Sequence, residues 1–165
     1  MKNLNLIFLA VVLMGTTQSV FNQSKSPGKG EKGAVLAVVD QFFEAMATRD
    51  ATAYERTVVP EGRFFSFRSI DGKNVMRTRL NQDDIAALQD GKQVWRERIW
   101  DPEVKVHGSI ANVWTPYDFW IDGKFSHCGI DSFDLIKVDG QWKIAGGMYT
   151  VETKCKPSPL GPLKK

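Results

Sequence analysis

The stretch Ile110–Val151, IANVWTPYDFWIDGKFSHCGIDSFDLIKVDGQWKIAGGMYTV, decides how the rest of the chain must fold. Asp122-Gly123 and Asp139-Gly140 each lie between apolar-alternating runs, the strongest short-range signal for a tight hairpin. They divide the stretch into three strands of about a dozen residues, longer than most. Strands of that length bend, and a bent sheet needs something packed in its hollow. The N-terminal half supplies it. Val35, Leu36, Val39, Phe42, Phe43 and Met46 recur at three- and four-residue spacing, an amphipathic helix ending near Arg49. Asp50 is placed to cap a short second helix over Ala51 to Thr57, closed by Pro60 and Gly62.

Arg63 to Ile70 and Asn74 to Leu80 read as strands joined at Asp71-Gly72, and Asn81 is expected to cap a third helix through Gln89. Val94 to Trp100 and Val104 to Val106 read as one long strand interrupted at Asp101-Pro102. The expected fold class is α+β: three helices from the first half of the chain in the hollow of a strongly curved, mostly antiparallel six-stranded sheet.

The chain has 165 residues, 42% hydrophobic and 25% charged, with a net charge of +3, ordinary for one globular domain. No dense basic stripe points to nucleic acid. Lys2, the apolar run Leu4 to Met14 and the small residues around Thr17-Gln18-Ser19 read as a secretory signal peptide over 1–19. That reading implies a secreted or periplasmic protein with no membrane attachment after cleavage. Residues 20–33, rich in Gly, Ser, Lys and Gln, read as a disordered linker, 34–155 as the domain and 156–165 as a proline-rich tail. In an exported chain Cys128 and Cys155 are expected to pair, with free thiols the alternative. Ideal pairing through Asp139-Gly140 puts Cys128 opposite Val151, so a bridge requires the chain to curl back afterwards; Gly146 and Gly147 could supply a bulge that alters the register.

The Phe42-Phe43-Glu44-Ala45 segment with Arg49-Asp50, and the run from Gly129 through Asp131, Phe133 and Leu135 to Asp139-Gly140-Gln141-Trp142-Lys143-Ile144, resemble the nuclear transport factor 2-like (SnoaL-like) superfamily. The resemblance covers roughly Ala34 to Val151 and implies a cystatin-like cone. Tyr117-Asp118-Phe119, Ser126-His127-Cys128-Gly129 and the Cys155-Lys156-Pro157-Ser158-Pro159 tail resemble its secreted "putative lumazine-binding" branch. Such folds serve as isomerases, dehydratases, subunit-association domains and carriers, so fold alone does not settle function.

Hairpin geometry selects candidate site residues, because opposite residues in an antiparallel pair share a face. Counting from Asp139-Gly140, Met148 faces Asp131 and Thr150 faces Gly129; counting from Asp122-Gly123, Asp118 faces His127 and Trp114 faces Asp131. His127, Asp131 and Asp118 are therefore expected on one concave surface with Trp114, Met148 and Thr150. Tyr117 and Phe43 are added as ligand contacts, although Phe43 also suits the core. A carboxylate beside a histidine would raise its basicity, suited to dehydration or proton transfer next to a carbonyl. Pro116 is the expected place for a register slip that would turn Asp118 outward.

The leading expectation is a small organic ligand held in the cone. The alternatives are a cofactor-independent lyase or isomerase using His127 and Asp131, and a dimerisation module pairing through the sheet. No cofactor is called for. With only His107 and His127 and no metal-ligand spacing, nothing supports a metal site.

Overall fold

The computed structural model describes residues 30–156 and 158–163. The expected signal peptide and most of the expected linker lie outside these residues. Helix α1 (Glu31–Thr48) buries Val35, Val39, Phe42, Phe43 and Met46, the stripe its spacing predicts. It starts three residues before the expected boundary. The Glu31 carboxylate there accepts hydrogen bonds from Lys137 Nζ and Trp142 Nε1, each at 2.8 Å. Arg49 ends the helix in the left-handed region at φ 58°. Its guanidinium donates to the carbonyls of Ala87, Leu88, Gly91 and Gln93, tying α1 to the end of α3 (Asn81–Asp90). Asp50 caps α2 (Ala51–Thr57), accepting from Ala53 N at 2.8 Å.

Asn81 does not cap α3 as expected. It is the first helical residue, fully buried, and its amide donates to the Val59 carbonyl at 2.7 Å. Asp83 does the local work instead, accepting from Leu80 N at 3.0 Å.

Among the described residues, seven strands form one sheet: β1 (Val58–Ile70), β2 (Lys73–Leu80), β3 (Trp95–Ile99), β4 (Glu103–His107), β5 (Ile110–Ile121), β6 (Lys124–Val138) and β7 (Gln141–Val151). The order is β2-β1-β7-β6-β5-β3, with β4 also on β5, and only β1 and β7 run parallel. The strand expected as one interrupted piece is two here, divided at Asp101-Pro102. The sheet breaks opposite Pro116, which lies between the β5 residues paired to β4 and those paired to β3. A residue with no N–H is cheap where no neighbour needs one. Strand β1 begins at Val58, five residues before the expected start.

The turns at Asp71-Gly72, Asp122-Gly123 and Asp139-Gly140 all have positive φ at both residues, as two-residue hairpins of this hand require. Phe42, Phe64, Phe133, Leu135, Trp142 and Ile144 form the centre of the core between helices and sheet. Among the described helices none is long and apolar enough to cross a membrane.

Two extra residues bend the sheet and reset its faces. Ser126 is unpaired between Trp120↔Phe125 and Phe119↔His127. Ala145 is unpaired between Leu135↔Ile144 and Asp134↔Gly146. Each bulge exchanges inward for outward residues along the strand beyond it, relative to an ideal hairpin. Pro116 itself causes no slip: Thr115, Pro116 and Tyr117 pair in register with Asp131, Ile130 and Gly129.

Candidate functional site

The hollow of the cone holds a cavity of about 250 Å³. The helices contribute Phe42, Met46 and Asp84 to its wall. Strand β3 contributes Trp95 and Glu97, β5 contributes Tyr117, Phe119 and Ile121, and β6 contributes His127, Asp131 and Phe133. Tyr149 of β7 and Arg79 of β2 complete the polar lining. An apolar, aromatic wall with a few convergent polar groups is the make-up of a small-molecule site.

His127 and Asp131 both line this cavity, as the alternation of β6 requires, and Tyr117 lines it too. The expected His–Asp pair is nevertheless absent among the described residues. The imidazole Nδ1 of His127 lies 2.9 Å from Ser126 Oγ, and its ring stacks on Phe119 at 4.9 Å between centroids. Burial, with a smaller contribution from the charge of Arg68, pushes its pKa down to about 4, so the ring is neutral near pH 7.

Asp131 is 5% exposed, and its partner is Glu97. Burial raises the Asp131 carboxyl well above the ordinary carboxylate range, and the nearby Glu97 charge and their mutual hydrogen bond raise it further. Burial likewise lifts Glu97 to about 7, although the hydrogen bond from Asp131 and the charge of Arg79 pull it back. Two carboxyls in one apolar cavity cannot both ionise cheaply, so the pair holds one proton between them. The Oδ2 atom of Asp131 is buried without a hydrogen-bond partner. Arg79 Nε lies 2.7 Å from Asp84 Oδ1, and Tyr54 donates its hydroxyl to Asp84 Oδ2 at 3.0 Å. The Tyr117 hydroxyl donates to the Thr150 carbonyl at 2.6 Å.

The other expected site residues lie elsewhere. Because Ser126 bulges, Asp118 pairs with Cys128 and Trp114 with Ser132, so both leave the concave face. Asp118 is buried on the outer side, where Arg98 Nε donates to its Oδ1 at 2.8 Å and Trp120 Nε1 donates to the same atom at 2.9 Å. Because Ala145 bulges, Met148 pairs with Ser132 and turns outward, while Tyr149 takes the place opposite Asp131. Trp114 and Met148 are each 49% exposed. Thr150 is spent on structure, its Oγ1 accepting from Ile130 N at 3.0 Å. Phe43 belongs to the core, edge-on to Phe42 and Phe133 rather than on the cavity wall.

Sequence reasoning missed Glu97 and Tyr149. Trp95-x-Glu97-x-Ile99 carried a usable signal, since two large apolar residues at period two place the acid between them on the same face. Tyr149 had none, because a bulge decides its direction.

A second cleft, of about 420 Å³, lies outside the sheet beneath the C-terminal tail. Trp100, Trp120 and the Arg98–Asp118 pair line it, and Arg98 Nη2 holds the Gly161 carbonyl at 2.8 Å. The Cys128–Cys155 disulfide closes it, with a Cα separation of 6.3 Å. The Ala145 bulge brings Glu152 opposite Cys128, with reciprocal backbone hydrogen bonds of 2.9 Å, and the chain curls from there. Among the described residues no three His, Cys, Asp or Glu side chains gather as metal ligands.

Solved structures share this architecture. An NTF2-like protein from Cytophaga hutchinsonii aligns at 17% identity over 74% of this chain and 98% of its own, with a TM-score of 0.61. A protein of unknown function with a cystatin-like fold from Nostoc punctiforme aligns at 13% identity over 77% and 92%, with a TM-score of 0.57. The beta subunit of a putative aromatic-ring-hydroxylating dioxygenase from Novosphingobium aromaticivorans aligns at 12% identity over 79% and 95%, with a TM-score of 0.59. At these identities the likeness is one of fold. No curated protein matches the chain. Residues 30–150 match the family described as "Putative lumazine-binding". With residues 30–150 matched, the chain belongs to the family described as "Putative lumazine-binding", on a fold shared with NTF2-like structures.

Proposed function

We propose that this protein binds a small, partly apolar organic molecule in the hollow of its cone. The observation that carries the reading is the 250 Å³ cavity itself, walled by aromatic rings and floored by a buried carboxyl with an unpartnered oxygen. Burying a polar atom without a partner costs about 1–3 kcal/mol, a cost a bound ligand would remove. Native mass spectrometry of the purified domain tests this. A co-purifying small molecule is expected, and Ile121→Trp, which fills the cavity, should lose it. Absence of any ligand, or equal retention in the filled variant, overturns the reading.

Export through the N-terminal segment is part of the same proposal. The Cys128–Cys155 bridge supports it, since disulfides persist in oxidising compartments. N-terminal sequencing of protein recovered from the periplasm or medium should find the chain starting after the apolar run; recovery only from the cytosol with Met1 intact refutes it.

A second reading, pairing of two copies through the sheet, rests on the outer face. Phe67, Met76, Trp114 and Met148 are 39%, 54%, 49% and 49% exposed there, an apolar surface of the kind that marks an interface. Sedimentation analysis should give a dimer that Trp114→Lys converts to monomer. A wild-type monomer at high concentration excludes it.

A further inference from the structure

The two carboxyls in the hollow do more than make it polar. Asp131 reaches Glu97 from a different strand, and both belong to the wall of one cavity. Asp131 is 5% exposed, and its Oδ2 is buried without a hydrogen-bond partner. The hollow therefore carries two neighbouring carboxyls with one proton between them. Arg79, the cation on the same wall, is already ion-paired to Asp84 at 2.7 Å. His127 engages Ser126 and carries no charge at neutral pH. The balance in the cavity is negative, and the aromatic side chains of Phe119 and Trp95 line the same space.

We propose, building on the ligand-binding reading above, that Glu97 and Asp131 are the recognition pair for a planar, weakly basic nitrogen heterocycle with an amidine-type edge, an amino group beside a ring nitrogen. The amino N–H donates to one carboxyl and the ring nitrogen meets the other. On binding, the proton held by the carboxyl pair moves to the ring nitrogen; one O–H bond breaks, one N–H bond forms, and an amidinium faces two carboxylates. This replaces a costly buried acid pair with two charge-assisted hydrogen bonds. It also excludes anions, which would meet like charge in a low-dielectric hollow.

The probe is 2-aminoquinoline, titrated calorimetrically against the disulfide-intact domain beside naphthalene, 2-methylquinoline and quinoline-2-carboxylate. The aminoquinoline should bind at least tenfold more tightly than the other three. Once bound, it should show the absorption spectrum of its cation at a pH where the free compound is neutral. Glu97→Gln and Asp131→Asn, each checked for fold by circular dichroism, should each lose at least tenfold in 2-aminoquinoline affinity while naphthalene affinity stays the same. The spectrum of the wild-type complex needs no variant, so a variant that fails to fold does not rescue the idea. Equal binding of naphthalene and 2-aminoquinoline, preference for the carboxylate, or a bound spectrum of the neutral base overturns this proposal and leaves the ligand-binding reading standing. If none of the four binds, both fall.

Discussion

Tyr149, not Met148, stands opposite Asp131. That displacement by one residue, set by the bulge at Ala145, decides which side chains of β7 see the hollow. It puts a tyrosine beside the carboxyl pair and sends a methionine to the outer surface. The bulge in turn depends on glycine. Gly146 has φ of 152°, and a Cβ there would lie 2.2 Å from the Arg63 carbonyl oxygen.

Gly146→Ala should therefore destabilise the domain by about 3 kcal/mol, combining an unfavourable φ with a backbone clash. Urea denaturation checks this. Conversely, a variant as stable as the wild type would mean that the bulge can relocate, and that the face of Tyr149 is not set here.

The carboxyl pair and His127 give stability–pH slopes of opposite sign. Glu97 and Asp131 have raised pKa values, so the folded state binds more protons than the unfolded one. Their contribution is full below about pH 4 and is lost as pH rises, through about 7 for Glu97. The double variant Glu97→Gln, Asp131→Asn should gain on the order of 2 kcal/mol relative to wild type between pH 4.5 and 7.5. His127 is depressed from 6.5 to about 4, so its cost appears as pH falls through that window. His127→Gln should flatten only that acid-side loss. Thermal melts across pH 4–8 would separate the two slopes; parallel profiles for all variants would contradict both assignments.

Reducing the Cys128–Cys155 bridge opens a loop with a sequence separation of 27. On the chain-entropy model this removes about 3.5 kcal/mol. Cys155→Ser should give the same loss and make stability insensitive to reductant. A wild-type protein with identical denaturation midpoints in oxidising and reducing buffer would show that the bridge contributes nothing.

Asp118→Ala should leave the partly buried Arg98 guanidinium without its carboxylate and cost about 3 kcal/mol. It should also loosen the tail that Arg98 holds through Gly161, visible as faster hydrogen exchange near the C-terminus. Affinity of any ligand in the hollow should be unchanged, because Asp118 lies on the other side of the sheet. A loss of binding as large as that from Asp131→Asn would return Asp118 to the site.

Local chemistry carried most of the architecture. The three Asp-Gly turns, the apolar stripe of α1 and the cap at Asp50 each depend on a few neighbouring residues, and each forms where those residues stand. The inward direction of His127 and Asp131 was legible for the same reason. Strand β6 alternates without an extra residue from His127 to Phe133 and Leu135, so parity counted from the core holds.

What the amino-acid order determined, then, is a helix-filled cone with His127 and Asp131 turned inward. What the tertiary structure alone decided is their company. A closing sheet must shed curvature through extra residues, and where Ser126 and Ala145 leave the ladder depends on contacts between distant strands and helices. Those two positions turned Asp118, Trp114 and Met148 outward and brought in Tyr149. Closure of the cone then carried Glu97 to Asp131, a meeting of two acids that no spacing along the chain records.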